Sequence, residues 1–127
     1  MIFKAEVPMT PQALRPNVKV HWAKKSKIVK QMRTISEVTF RKMIRRYEIQ
    51  PVIPLRQIEI KRIFIFKTKR RRDKDNLNAS TKSINDGLVD SGLIVDDCGN
   101  NIIWVDSEIK VDKSIEHEFI IYEIQPN

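Results

Sequence analysis

The sequence predicts an α+β fold: a small mixed sheet of about four strands packed with two main helices, in the chain order β-α-β-α-β-β. Three observations predict it. Residues 57–66 form the clearest strand, with Ile58, Ile60, Ile63, Phe64, Ile65 and Phe66 in a β-rich run. The second part of that run is apolar on both faces, as befits a central strand covered by helix on at least one side. Residues 23–47 carry Ile28, Met32, Ile35, Phe40, Met43, Ile44 and Tyr47 along one imperfectly periodic apolar side, which predicts a long helix. Leu77, Thr81, Ile84 and Leu88 recur at helical spacing and predict a second helix over 76–89, crossing from the second strand to the third.

The remaining elements follow in order. Residues 1–7 alternate Phe3, Ala5 and Val7 with Lys4 and Glu6, a short strand that Pro8 and Pro11 end. Residues 10–22 read as an ordered loop with Pro16 setting local geometry. His21 and Trp22 end that loop, and packing beneath it is the expected role rather than stacking on a base. Pro51 and Pro54 separate the first helix from the central strand. Asp75 or Asn76 suits the N-cap of the second helix. Gly92 suits its stop, and Gly87 is a tolerated weak point inside it. Residues 102–111 read as a third strand with Trp104 buried, and 118–124 as a fourth. The whole makes one domain over 1–127, long enough for a modest core.

Charge divides the chain in two. Residues 1–72 hold 20 Lys/Arg against 4 Asp/Glu, a net of +16; residues 73–127 hold 4 against 12, a net of −8, which together give the overall +8. A basic half points to a polyanion partner, most simply nucleic acid. An acidic half repels the same polyanion unless cations stand between. A protein that merely coats DNA has no need of that asymmetry. Lys24, Lys25, Lys27 and Lys30 crowd the start of the long helix, where a phosphate-facing role is at least as good a reading as a solvated face. Cys98 is the only cysteine, so no disulfide framework and no Cys/His metal motif exist within the chain. This fits a reducing cytoplasm. No signal peptide and no apolar run long enough to span a bilayer is recognisable, so no membrane role is expected.

The border between the two halves is the most informative stretch. Lys69, Arg70, Arg71 and Arg72 turn abruptly into Asp73 and Asp75, a helix follows, and a second acidic pair, Asp96–Asp97, closes the segment. Hard divalent cations such as Mg²⁺ take oxygen ligands, usually a few carboxylates with water and substrate phosphate. If 69–75 stays extended, Asp73 and Asp75 point to the same side. On one continuous helix Asp75, Lys82 and Asp86 fall within roughly 40° of one another, and Lys82 stands about 10 Å along the axis from Asp75. Each feature also has an ordinary reading: acidic residues favour helix starts, and a Lys–Asp pair four apart is often a solvated pair. In combination they suggest two halves of a divalent-metal site beside a phosphate cradle.

These motifs resemble those of the RusA family of Holliday junction resolvases, in the form carried by phages and prophages. Its signature is an Arg-rich strand end, DxDN, a lysine, D-[AG]-L and G-x3-DD. Here these read Arg71–Arg72, Asp73-Lys74-Asp75-Asn76, Lys82, Asp86-Gly87-Leu88 and Gly92 to Asp97. Arg15-Pro16-Asn17 to His21–Trp22 is similar to the family's N-terminal Pro/Asn loop. The resemblance implies a Mg²⁺-dependent crossover junction endodeoxyribonuclease, with Mn²⁺ as a substitute metal, acting as a homodimer on four-way DNA junctions in the cytoplasm of a bacterial host. It implies Asp73, Asp75 and Asp97 as metal ligands, with Asp96 as a further candidate. Some members place the catalytic lysine where this chain has Ala79; the helix geometry favours Lys82, on the metal-facing side. The basic residues Lys69, Arg70, Arg71 and Arg72, with those of the long helix, are expected to hold flanking phosphates. The competing readings are a non-catalytic DNA- or RNA-binding protein, whose aspartates are caps and loop residues, and a metal-dependent nuclease with a different structured nucleic-acid substrate.

Overall fold

A computed structural model describes all residues 1–127. Five strands and three helices follow one another: β1 (Phe3–Pro8), α1 (Trp22–Arg46), β2 (Ile58–Phe66), α2 (Lys74–Ala79), α3 (Lys82–Asp90), β3 (Ile102–Trp104), β4 (Glu108–Val111) and β5 (Phe119–Pro126). The sheet order is β1-β5-β2-β3, with β4 continuing along β2 beyond β3. β5 is antiparallel to both β1 and β2, whereas β3 and β4 run parallel to β2. This is the expected mixed α+β sheet, with β2 at its centre.

Two expected elements are each divided. The predicted third strand, 102–111, is β3 and β4 with a break at 105–107. Ile60 pairs with Trp104 but Ile63 pairs with Glu108, so the register slips by one residue between them. One extra residue on one strand is a bulge, and it sends the side chains beyond it to opposite faces. Trp104, expected to be buried, is 37% exposed beside this bulge. The predicted helix 76–89 is likewise two helices. Ser80 and Thr81 turn their hydroxyls back onto the carbonyls of Leu77 (2.6 Å) and Asn78 (2.7 Å), competing with the helical ladder where it breaks.

Parity on β2 sets the core. Ile58, Ile60, Phe64 and Phe66 face the helix layer and join Phe40, Met43 and Ile44 of α1, Leu77 of α2 and Ile84 and Leu88 of α3. Thr81 completes the predicted Leu77–Leu88 stripe and is fully buried. Ile63 and Ile65 are buried on the other face, outside that cluster, in register with Ile121 and Phe119 of β5. Helix α1 ends where Glu48 takes a φ of 55° and the Ile49 N–H donates back to the Ile44 carbonyl.

Gly87 has a sharper role than an indifferent position in α3. A Cβ there would stand 2.7 Å from both the Arg33 carbonyl oxygen and Ser36 Cβ, and 2.9 Å from Glu37 N. The glycine is what lets α3 lie directly on α1. Arg33 clamps the same contact, its Nε donating to Asp90 Oδ2 at 2.6 Å and its second arm to Oδ1 at 2.9 Å. The hydrogen bond from Arg33 holds the Asp90 carboxyl below its ordinary range, and the Asp90 partner raises Arg33 in turn. Gly92 follows α3 with a φ of 86°, the left-handed turn that glycine favours.

Candidate functional site

The end of β2 brings the basic run to one end of the sheet. Arg72 is held in place there: its guanidinium lies 3.6 Å above the Phe66 ring, and NH1 donates to the Thr68 carbonyl at 2.9 Å. Burial lowers the pKa of Arg72; Glu118 opposes that shift, and the nearby charges of Arg70 and Arg15 add to it. Lys69, Arg70 and Arg71 are exposed around it. A cleft of about 220 Å³ has Arg15, Asn17, Arg72, Asp73 and Asn76 in its wall, so the last cation of the run and the first carboxylate share one depression.

At Asp73 the chain leaves extended geometry and at Lys74 it becomes helix. Asp73 is therefore the N-cap, in place of the expected Asp75 or Asn76. Its Oδ1 accepts the N–H groups of Asp75 (2.9 Å) and Asn76 (3.4 Å). Asp75 lies inside the first turn of α2, so the extended-chain geometry expected for the pair does not apply. Lys74 turns away to Asp106 (3.0 Å) and to the Ser107 carbonyl (3.1 Å), which anchors α2 beside the β3–β4 bulge.

The break at Ser80–Thr81 changes the partners of Lys82. Asp75 is now on a separate helix, so the continuous stripe is interrupted. Lys82 opens α3, its ammonium 3.3 Å from Asp86 Oδ1 and 3.9 Å from Asp97 Oδ2. The neighbouring Asp96 carboxylate turns back on the backbone, its Oδ1 accepting the Asp97 N–H at 2.7 Å. Lys82 and the distal Asp97 are thus neighbours in the fold. Asp73, Asp75 and Asp97 are not: no three carboxylate, histidine or cysteine side chains stand close enough together to hold one ion. The donors are hard oxygens of the type Mg²⁺ takes, but their spacing is not that of a closed ligand set. Like charges keep carboxylates apart unless a cation or proton stands between them, and for Asp86 and Asp97 that cation is the Lys82 ammonium.

Arg62 belongs to no motif in the sequence. It shares the helix-facing parity of Ile58, Ile60, Phe64 and Phe66, a position at which a charge is itself a signal. Only 6% exposed, it has no carboxylate partner. Its NH1 donates to Thr81 Oγ1 at 2.9 Å and to the Asn78 carbonyl at 3.4 Å, and its guanidinium lies 4.1 Å from the Trp104 ring centroid. Burial lowers its pKa while Tyr122 opposes the shift. Tyr122, also buried, donates to Asn85 Oδ1 at 2.7 Å, and burial pushes its phenol up to about 12. Arg62, Thr81, Asn85 and Tyr122 thus form a polar seam beneath the helix break, on the turn immediately before Lys82.

The basic helix divides into two parts. Arg33 and Arg41 are exposed but engaged at the α1–α3 contact, Arg41 with Glu37 Oε2 (2.9 Å) and the Asp90 carbonyl (3.1 Å). Lys24, Lys25, Lys27 and Lys30 are all exposed and make no ion pair. Contrary to expectation, Trp22 does not pack: it is 77% exposed at the head of α1, stacked on His21, whose Nδ1 accepts the Ala23 N–H. Cys98 is exposed in a turn, its thiol 3.1 Å from Asn101 Oδ1. No helix is long and apolar enough to cross a membrane.

No family model matches the chain, and no curated protein matches its sequence.

Proposed function

We propose that the protein is a Mg²⁺-dependent endodeoxyribonuclease of the RusA type, which resolves four-way DNA junctions by paired symmetric nicks in a bacterial cytoplasm. The observation that carries this reading is the cleft in which Arg15 and Arg72 meet Asp73. A nucleic-acid backbone held by those cations is delivered to the first carboxylate of the DxDN motif. Asp73, Asp75 and Asp97 are the proposed ligands, with Asp96 as the neighbouring candidate and Mn²⁺ as a substitute ion; because they stand apart in this structure, they would have to be drawn together around the ion. Bound there, the metal would supply Lewis-acid polarisation of the scissile phosphate and activation of water.

The chain's own groups do the rest. Lys82, beside Asp97, offsets negative charge on the phosphate in the transition state. Arg70, Arg71 and Arg72, with Lys69 and the free lysines of α1, fix the flanking backbone without reading sequence. Two opposed strands must be cut symmetrically, which calls for a two-fold homodimer.

The test is a synthetic four-way junction and a matched linear duplex, each incubated with and without Mg²⁺. Paired nicks in the junction alone, and only with the metal, are expected. Equal cutting of the linear duplex would replace the junction with another structured or general nucleic-acid substrate. Binding without cutting, in Mg²⁺ and in Mn²⁺, would support the reading of a non-catalytic nucleic-acid-binding protein. The capping of α2 by Asp73 is the role that second reading gives this residue.

A further inference from the structure

Next to the Asp73 cleft is a larger cavity of about 540 Å³ whose wall includes Arg15, Arg70, Arg71, Arg72 and Glu118. Its wall carries four arginines and one glutamate carboxylate, a formal net of +3. That carboxylate is already engaged, since Glu118 Oε2 accepts the Lys67 N–H at 2.9 Å. Pockets for drug-like molecules are lined mainly by apolar and aromatic groups. This one has only two apolar residues in its wall, and one of them, Phe66, is covered by the Arg72 guanidinium. Like charges gathered into one concavity repel one another, and an anion between them offsets that cost.

The cations are also arranged to receive one. Arg72 is immobilised by Phe66 and by the Thr68 carbonyl, so little side-chain freedom is lost on binding. Arg15 arrives from the segment between β1 and α1; its Nε is enclosed by protein, so the two terminal nitrogens, which make no hydrogen bond or ion pair, are the donors left for the cavity. A guanidinium fork with unused N–H donors matches the paired oxygens of a phosphate. Arg15 and Arg72 line both this cavity and the smaller cleft that holds Asp73.

We infer that the Arg15–Arg72 cavity is a discrete phosphate subsite, which seats one backbone phosphate of the bound strand adjacent to the phosphate at Asp73. As a description of a DNA strand's path this rests on the proposed function; as an anion site it stands on the cavity alone. It narrows the backbone contact proposed for Arg15 and Arg72 to one phosphate in one cavity. It also separates a built single-phosphate seat from the diffuse attraction of the exposed lysines on α1.

Two measurements on the full chain test it. In the first, arginine Nε–Hε NMR signals are followed as inorganic phosphate replaces chloride at constant ionic strength. The Arg15 and Arg72 signals are expected to shift saturably, and Arg15→Gln is expected to abolish the Arg72 shift. Absence of any phosphate-specific shift in the wild type overturns the subsite. In the second, four-way junction binding is measured without divalent metal across a range of salt. Arg15→Gln is expected to weaken binding by about tenfold and to reduce the log–log salt slope by about one. Arg15→Lys is expected to restore the slope but not the full affinity, because it keeps the charge and loses the fork; it also serves if the glutamine variant does not fold. An unchanged slope and affinity in Arg15→Gln overturns the subsite on DNA. Phosphate-specific shifts in a protein that binds no DNA would uphold the anion site and refute the nucleic-acid reading.

Discussion

The Lys82 ammonium lies 3.9 Å from the Asp97 carboxylate, although the whole of α3 and the turn after it separate the two along the chain. Asp86, one turn into α3, takes the other side of the same ammonium at 3.3 Å. The lysine side chain is 76% exposed, so the pair is a solvent-facing one and contributes little to folding. Its position suits a cation that exchanges a carboxylate for a substrate phosphate.

Lys82→Gln is therefore expected to leave thermal stability nearly unchanged while lowering junction nicking by about 10²–10³-fold. Single-turnover cleavage and a melting curve on the same preparation decide this. Wild-type cleavage by the variant would remove Lys82 from the chemistry.

Asp73 and Asp75 separate capping from metal binding. Asp73→Asn keeps an oxygen that can accept the Asp75 and Asn76 N–H groups, so stability should hold, whereas Asp73→Ala should cost about 1 kcal/mol. Asp75→Asn carries no cap and should abolish cleavage while retaining junction binding. If the aspartates bind the metal, millimolar Mg²⁺ should raise the melting temperature of the wild type and not that of Asp75→Asn, because a ligand stabilises only the state it binds. Equal Mg²⁺ shifts in both proteins, or full Mg²⁺-dependent nicking by Asp75→Asn, would defeat the ligand assignment.

Gly87→Ala tests the α1–α3 contact. Its added methyl would lie 2.7 Å from backbone and side-chain atoms of α1, so the helices must separate and Leu88 and Ile84 lose part of their packing. A loss of about 3 kcal/mol in denaturant unfolding is expected, at the upper end for overpacking. A loss below about 1 kcal/mol, the cost of an ordinary surface change, would mean that the contact yields freely.

Tyr122 predicts an alkaline limit. Its phenol is pushed up to about 12 by burial, above the unfolded value of about 10. Between these values the unfolded chain releases a proton that the folded chain keeps. Stability is thus fully present below about pH 10 and declines as pH rises toward 12. Alkaline absorbance titration should show one tyrosine, absent in Tyr122→Phe, ionising only as the fold opens. Tyr122→Phe should also lose about 1–3 kcal/mol, since Asn85 Oδ1 is left without its buried donor. Simple ionisation near 10 in the folded protein would contradict this placement.

Much of this molecule is legible in the sequence because it rests on local chemistry. Period-two runs and helical spacing found β1, α1, β2 and β5, and the Leu77–Thr81–Ile84–Leu88 stripe found the buried face of the second helical region even though that region is two helices. The +16 and −8 halves located the change of sign at Arg72–Asp73. The continuous-helix geometry that favours Lys82 over position 79 does not survive the break between α2 and α3, although the Lys82 ammonium does lie 3.9 Å from Asp97. The register slip after Trp104 and the break at Ser80–Thr81 depend on partners. Two hydroxyls turn onto nearby carbonyls and Arg62 reaches across from β2, and no periodicity in the strand or helix itself reports either.

Along its length the sequence determined which segments favour strand or helix, where the charge changes sign and where carboxylates and cationic side chains are concentrated. Only the tertiary structure decided that Arg15, more than fifty residues before Arg72, lines the same cavity, that Asp73 caps α2, and that Gly87 sets how closely α3 approaches α1. The reason is physical: identity and spacing act over a few residues of chain, whereas a cavity, an ion pair or a close helix contact exists only once distant segments occupy the same few ångströms.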